Sequence, residues 1–203
     1  MISALVNTIN AISDVPSEEM VKLCRIAVPE KIQKGNAFIL EGDLPRKFAF
    51  VGNGLFRYYY VTEKGTEFTK GFFPEGSFIT SYTAMIKRRP SYYTVQALED
   101  SDVLVIDYTR WQKLYEGSTC WMNFLFALVE KGYMKKEARE RELLVLDAEE
   151  RYRAFLREYP ALEKRVKQHM IASYLGITPV ALSRIRKAMF SQNVSVEKKI
   201  PLT

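Results

Sequence analysis

The sequence predicts an α+β chain: an N-terminal antiparallel β-roll of the jelly-roll kind, a long central helix, and a C-terminal helix-turn-helix. Three observations predict it. Between Val28 and Tyr108, short runs rich in β-formers alternate with turn signals, the texture of a sandwich or roll. From about Ser118 to Leu144 the sequence reads as one long helix. Between Gln168 and Lys187 the order of apolar, glycine, cap and proline positions is that of two short helices joined by a tight turn.

Residues 1–27 read as helical. The expected strands are Ala37–Leu40, Lys47–Val51, Leu55–Val61, Glu67–Phe73, Tyr93–Leu98 and Val103–Asp107. Gly35-Asn36, Glu41-Gly42-Asp43, Gly52-Asn53-Gly54, Glu63-Lys64-Gly65 and Pro74-Glu75-Gly76 separate them. In the long helix Trp121, Leu125, Leu128 and Gly132 recur at the spacing of a packing seam, so a second copy of the chain is the expected partner there, although one stripe packed on the roll would give the same pattern. The far end, Lys131 to Glu142, turns highly charged, which keeps any coiled coil short. Asp147 starts another helix, with Glu149 and Glu150 in its first turn and Pro160 closing it. The expected division is 1–117 for the roll, 118–146 for the central helix and 147–203 for the helix-turn-helix.

In the last of these, Ile171, Ala172 and Leu175 share one helical face. Gly176 suits the positive φ of a tight turn, Ile177 plugs it, Thr178 can cap the next helix, and Pro179 fits the first helical position. At 100° per residue, Leu182, Ile185 and Met189 form the buried stripe of the second helix. Val180, Ser183, Arg184 and Lys187 fall opposite. A guanidinium can pair two ways with guanine, so Arg184 is the expected base reader, and Val180 could touch a thymine methyl. Ser183 suits base or phosphate, and Lys187 suits phosphate. Thr178, Lys167 and His169 are candidate backbone contacts. Arg186 lies at the buried edge, where a flanking salt bridge and a phosphate contact are both open.

Charge agrees with this reading. The chain carries a formal charge of +6. Residues 161–203 hold eight Lys/Arg against Glu163 and Glu197, whereas residues 1–160 are balanced. A neutral body joined to a basic end is what a phosphate-binding tail would produce, with double-stranded DNA the expected partner, although a solvated basic surface would show the same charge. Enzyme classes fit poorly. The one histidine, His169, lies outside the roll, where a metal site of the jelly-roll enzymes would need two or three. No P-loop, dinucleotide fingerprint, GxSxG or HExxH occurs. Two cysteines, Cys24 and Cys120, fit a reducing cytoplasm, and neither a membrane span nor a leader pattern is expected. The competing reading is a ligand-binding roll whose basic tail meets a membrane or protein; the cap and turn residues Gly176-Ile177-Thr178-Pro179 speak against it.

Taken together, Leu40-Glu41-Gly42-Asp43, the strands around Gly52-Asn53-Gly54-Leu55, Val95-Gln96-Ala97-Leu98, and Ile171-Ala172 through Lys187 resemble the Crp/Fnr family of bacterial transcription regulators. Gly71-Phe72-Phe73-Pro74 resembles members typical of the Bacteroidetes. The resemblance implies a cyclic-nucleotide-binding-like roll, a homodimer joined along the central helix, a near-palindromic operator read by two copies of the second helix, and RNA polymerase as a further partner. Arg184 matches the family's base-reading arginine, while Val180 and Pro179 stand where many relatives carry an acid and an arginine. Phe190–Thr203 are too few and too polar for a full wing, so a reduced or absent wing is expected.

The resemblance also places the effector segment at Phe73–Ala97. The family's ribose-binding glutamate falls at Ser81 and its phosphate-binding arginine at Ser91. A buried phosphate without a cation costs several kcal/mol, so cAMP is not the expected effector. Arg88 and Arg89 lie nearby, before Pro90. Phe73, Ser81, Tyr82, Ser91 and Tyr92 are the candidate pocket residues for an unknown small molecule. An iron–sulfur cluster would need about four thiolates and a haem an axial histidine in the roll or central helix, so neither cofactor is expected. Cys120, at a helix start, is a candidate redox thiol or a buried inert one.

Overall fold

The computed structural model describes residues 1–197, with side chains to Met189. It packs as two compact units, residues 1–135 and 136–203, whose boundary falls within one helix.

The first unit begins with helices α1 (Ile2–Asn10) and α2 (Ser17–Ile26). Eight strands follow: β1 (Ala27–Ile32), β2 (Ala37–Ile39), β3 (Lys47–Asn53), β4 (Phe56–Val61), β5 (Glu67–Phe73), β6 (Phe78–Ile79), β7 (Thr94–Ala97) and β8 (Ser101–Asp107). They form two four-stranded antiparallel sheets, ordered β1-β8-β3-β6 and β2-β7-β4-β5. This is the antiparallel roll expected from the turn spacing. A six-residue helix, α3 (Tyr82–Lys87), lies between β6 and β7.

Strand alternation explains both cores of this unit. Ala49 and Val51 of β3 and Val103 of β8 point between the sheets, where they meet Phe38, Phe56, Tyr58, Val95 and Ala97. Their neighbours Phe50, Leu104 and Ile106 point the other way, into a cluster with Leu5, Ile9, Leu23, Trp111, Trp121 and Phe124. The β3–β8 pair is therefore covered on both faces, which is why its sequence reads as an apolar run. Two strands were not foreseen. β1 is an edge strand with Pro29 and four exposed residues in succession, so it shows no alternation. β6 is only two residues long.

Asp107 caps α4 (Tyr108–Gly117) by accepting the Arg110 N–H at 2.9 Å. Ser118, with extended φ and ψ, then separates α4 from the long helix α5 (Thr119–Val145). In the first unit α5 is held by Trp121, which is fully buried. Its ring meets Trp111 and Phe124 edge-on, and its indole N–H donates to Glu19 Oε2 at 2.9 Å. Hydrogen bonds from Lys22 and Trp121 hold the Glu19 carboxyl below the usual carboxylate range.

This geometry corrects the expected self-association seam. Trp121 faces the unit's own core and Leu128 packs against the same cluster; Leu125 is half-buried, and Gly132 is exposed with open space around it. Exposed apolar side chains in the first unit's part of α5 include Met122, Phe126, Val129 and Tyr133, one residue later and at the same 4-3-4 spacing. At 100° per residue the two stripes lie about 100° apart on the helix.

The second unit contains the end of α5 and helices α6 (Ala148–Glu158), α7 (Gln168–Leu175) and α8 (Pro179–Glu197). Asp147 and Glu150 close a reciprocal capping box at the start of α6, as expected of Asp147. Phe155, Tyr159 and Tyr174 form the aromatic centre, with Leu162, Ile171, Ala172, Leu175 and Leu182 buried around them. Burial pushes the Tyr159 and Tyr174 phenols well above the usual tyrosine range, so both act as neutral hydrogen-bonding groups. Helix α8 is continuous through Glu197, and residues 198–203, on which the rest of the wing expectation falls, lie outside the described residues. Among the described residues no helix is long and apolar enough to cross a membrane.

Candidate nucleic-acid interface

The turn between α7 and α8 is built as its residues dictate. Gly176 adopts φ 69°, ψ 34°, the left-handed conformation that an L side chain resists. The Ile177 N–H returns to the Ala172 carbonyl at 3.0 Å, and Ile177 is half-buried. The Thr178 hydroxyl accepts the Ala181 N–H at 3.2 Å and so caps α8. Thr178 remains exposed beside the first N–H groups of that helix.

Along α8 the burial follows the helical phase. Leu182 is fully buried, and Ile185 and Met189 are half-buried. Val180, Ser183, Arg184 and Lys187 are exposed, Val180 at 61%. These four share one outward face. Among the described residues, no hydrogen bond or ion pair engages the Arg184 guanidinium, which leaves its five donors for a partner. Lys167 and His169, at the start of α7, are also exposed. The Gln168 side-chain amide donates to the Pro179 carbonyl at 3.2 Å, joining the starts of α7 and α8. Lys167, His169, Thr178 and Val180 therefore gather at one end of the helix pair. The sequence reading did not single out Gln168, although it opens the motif.

Arg186 has a different place. Its Nη2 lies 2.7 Å from Glu163 Oε1, its Nε donates to the Tyr152 hydroxyl at 3.1 Å, and its guanidinium lies 5.7 Å from the Tyr152 ring centre. The Tyr152 hydroxyl is also bonded to Glu163. Of the two roles the sequence left open, the structure shows the salt bridge, which pins α8 to α6 and to the turn at Leu162–Lys164.

The effector segment is arranged otherwise than the pocket reading expected. Phe73, Ser81 and Ser91 face inward, but Tyr82 (37% exposed) and Tyr92 (62%) lie outside, Tyr92 against the Arg89 guanidinium. Ser81 and Ser91, both 2% exposed, serve Tyr93 instead of a ligand. Ser91 donates to the Tyr93 carbonyl at 2.7 Å, Ser81 hydrogen-bonds the Tyr93 phenol, and that phenol donates to the Thr80 carbonyl at 3.2 Å. The Tyr93 ring stacks on Tyr58, which stacks on Phe73 with 3.9 Å between centroids. Lys70 lies 4.0 Å over the Tyr93 ring. The two serines and the Thr80 carbonyl are thus joined through Tyr93. Neither serine position offers a charge, and Tyr93 stands between them. Tyr93 was among the aromatics expected near a pocket; Tyr58 and Lys70 were not foreseen, and Lys70 is the exposed residue bulged between the pairs Tyr58–Gly71 and Tyr59–Thr69.

Comparison with known proteins places this geometry. Residues 29–118 match the family model described as the cyclic nucleotide-binding domain. Comparison with curated protein sequences finds no match. Among solved structures, FixK2 from Bradyrhizobium japonicum is similar with a TM-score of 0.73 and 18% identity, covering 83% of this chain and 86% of that one. The c-di-GMP-responsive global regulator CLP from Xanthomonas campestris gives 0.70 and 16%, covering 88% and 93%. A protein from Eubacterium rectale, assigned to the Crp/Fnr family of transcriptional regulators, gives 0.68 and 18%, covering 94% and 88%. At these identities the likeness is one of fold, and it extends over most of each chain.

Proposed function

We propose that this protein is a sequence-specific DNA-binding transcription regulator of the Crp/Fnr type. One observation carries the reading: α8 presents Val180, Ser183, Arg184 and Lys187 on a single exposed face, on a helix whose start is fixed by the Gly176 turn and the Thr178 cap. Such a helix fits a major groove about 12 Å wide, with its N-terminal half toward the bases. Arg184 supplies the two-pronged donor for guanine, Val180 an apolar contact, and Lys167, His169, Thr178 and Lys187 meet phosphate. Arg186 orients the helix from behind.

The acting species in this reading is a homodimer. Met122, Phe126, Val129 and Tyr133 form an apolar seam on α5 that the chain itself leaves exposed, the kind of stripe a second α5 would cover. Two copies of α8 would then read a near-palindromic operator. The roll is the effector-sensing part, and its interior chemistry speaks against a cyclic phosphate.

The test is Arg184→Ala in the full-length protein, bound to a duplex enriched by the wild type from a random library. The variant is expected to lose about 1–3 kcal/mol of affinity and its base preference at one position of each half-site. Unchanged affinity and preference would show that this face does not read DNA.

A further inference from the structure

Helix α5 does more in the second unit than end there. The Arg139 Nη2 donates to the Tyr174 carbonyl, and its guanidinium lies 4.0 Å from the Tyr174 ring centre. Its Nη1 lies 3.4 Å from Glu142 Oε2 one turn on, and the Arg139 side chain is only 16% exposed. One turn along, Leu143 Cδ2 sits 3.7 Å from where a Cβ on Gly176 would be. The Tyr174 ring is fixed from its far side, because its hydroxyl donates to Glu158 Oε2 at 3.2 Å and its face meets Phe155.

Tyr174 belongs to the last turn of α7, where carbonyls lack helical partners. The Ala172 and Ser173 carbonyls are taken by the N–H groups of Ile177 and Gly176. The Tyr174 carbonyl is taken by Arg139. A cation here also meets the negative end of the α7 dipole. The guanidinium therefore performs two functions that a lysine could not combine: it stacks on the ring and donates to the carbonyl of the same residue.

We infer that Arg139 is a positioning residue for the DNA-reading helix. Together with Leu143 it fixes the α7–α8 turn to the 136–145 end of α5. The inference rests on the proposed DNA-reading role. It makes the orientation of α8 on α5 a condition of specific binding, while leaving the chemistry of the reading face untouched.

The experiment compares full-length wild type, Arg139→Ala and Arg139→Lys on the duplex enriched by the wild type, across a salt series. Arg139→Ala is expected to weaken binding about tenfold, the scale of a lost charge-assisted hydrogen bond, with Arg139→Lys recovering only part of it. The slope of log affinity against log salt should stay that of the wild type, since no phosphate contact is lost. Wild-type affinity for Arg139→Ala would overturn the inference, as would a slope reduced by about one, which would make Arg139 a phosphate ligand. Leu143→Ala, expected to weaken binding in the same direction without touching charge, replaces Arg139→Ala if that variant does not fold. If the wild type enriches no duplex, the DNA-reading proposal fails. Amide exchange then decides the clamp alone: faster exchange at Tyr174–Leu182 in Arg139→Ala supports it, and unchanged exchange overturns it.

Discussion

Replacing Arg186 by alanine separates two roles that look alike in the sequence. In the structure the side chain makes an ion pair with Glu163, a hydrogen bond to the buried Tyr152 hydroxyl, and a face contact with the Tyr152 ring. Side-chain exposures of 22% and 32% for Arg186 and Glu163 leave their pair partly screened, so it contributes at most about 1 kcal/mol. The hydrogen bond adds about 1 kcal/mol and the ring contact about 0.5 kcal/mol. Glu163 keeps its bond to Tyr152 after the substitution, so no charge is left without a partner. The expected loss is therefore about 2 kcal/mol, which in a unit the size of residues 136–203 lowers that unit's midpoint by about 8–16 °C. Calorimetry on the full chain measures it. Both tryptophans, Trp111 and Trp121, lie in residues 1–135, so the fluorescence transition is an internal control expected to stay in place. The salt slope of DNA binding should not change. An unshifted calorimetric midpoint together with a slope reduced by about one would refute the reasoning and return Arg186 to the phosphate contacts.

Two further outcomes follow from the geometry. Phe126→Asp puts a charge in the centre of the exposed α5 seam, so sedimentation should show the chain shifted toward monomer while the fluorescence transition stays near that of the wild type; Trp121→Asp, by contrast, should unfold the first unit. Micromolar cAMP should leave the melting midpoint within about 1 °C, because a ligand that does not bind the native state adds no stability; a rise of several degrees would mean that Tyr93 gives way and that a cation reaches the phosphate.

The helix pair was the most legible part of the chain because its signals are local. Gly176, Thr178 and Pro179 each have a backbone reason to stand where they do, and the helical phase alone separates Leu182 from Arg184. The roll was legible in most of its strands because turn residues punctuate it, but β1 and β6 carry no alternation to detect. On α5 the sequence left two readings of one stripe open, a self-association seam and packing on the chain's own roll. That helix has two stripes of the same 4-3-4 spacing, Trp121–Leu125–Leu128–Gly132 and Met122–Phe126–Val129–Tyr133, and periodicity cannot say which one the chain covers itself. The roles of Arg186 and Arg139 depend on Glu163 and Tyr174, which are 23 and 35 positions away in the chain, and no local pattern announces such pairs. Tyr82 and Tyr92 lie outside because Tyr82 opens the short helix α3 and Tyr92 sits in a bend before β7, neither of which composition signals.

The most direct measurement is enrichment of duplexes from a random library by the full-length wild type, followed by footprinting. The account predicts one enriched motif with two inverted half-sites about one helical turn apart, centre to centre, and a base preference within each half-site that Arg184→Ala relaxes. Binding without any enriched motif, or a single half-site read equally well by Arg184→Ala, would contradict it.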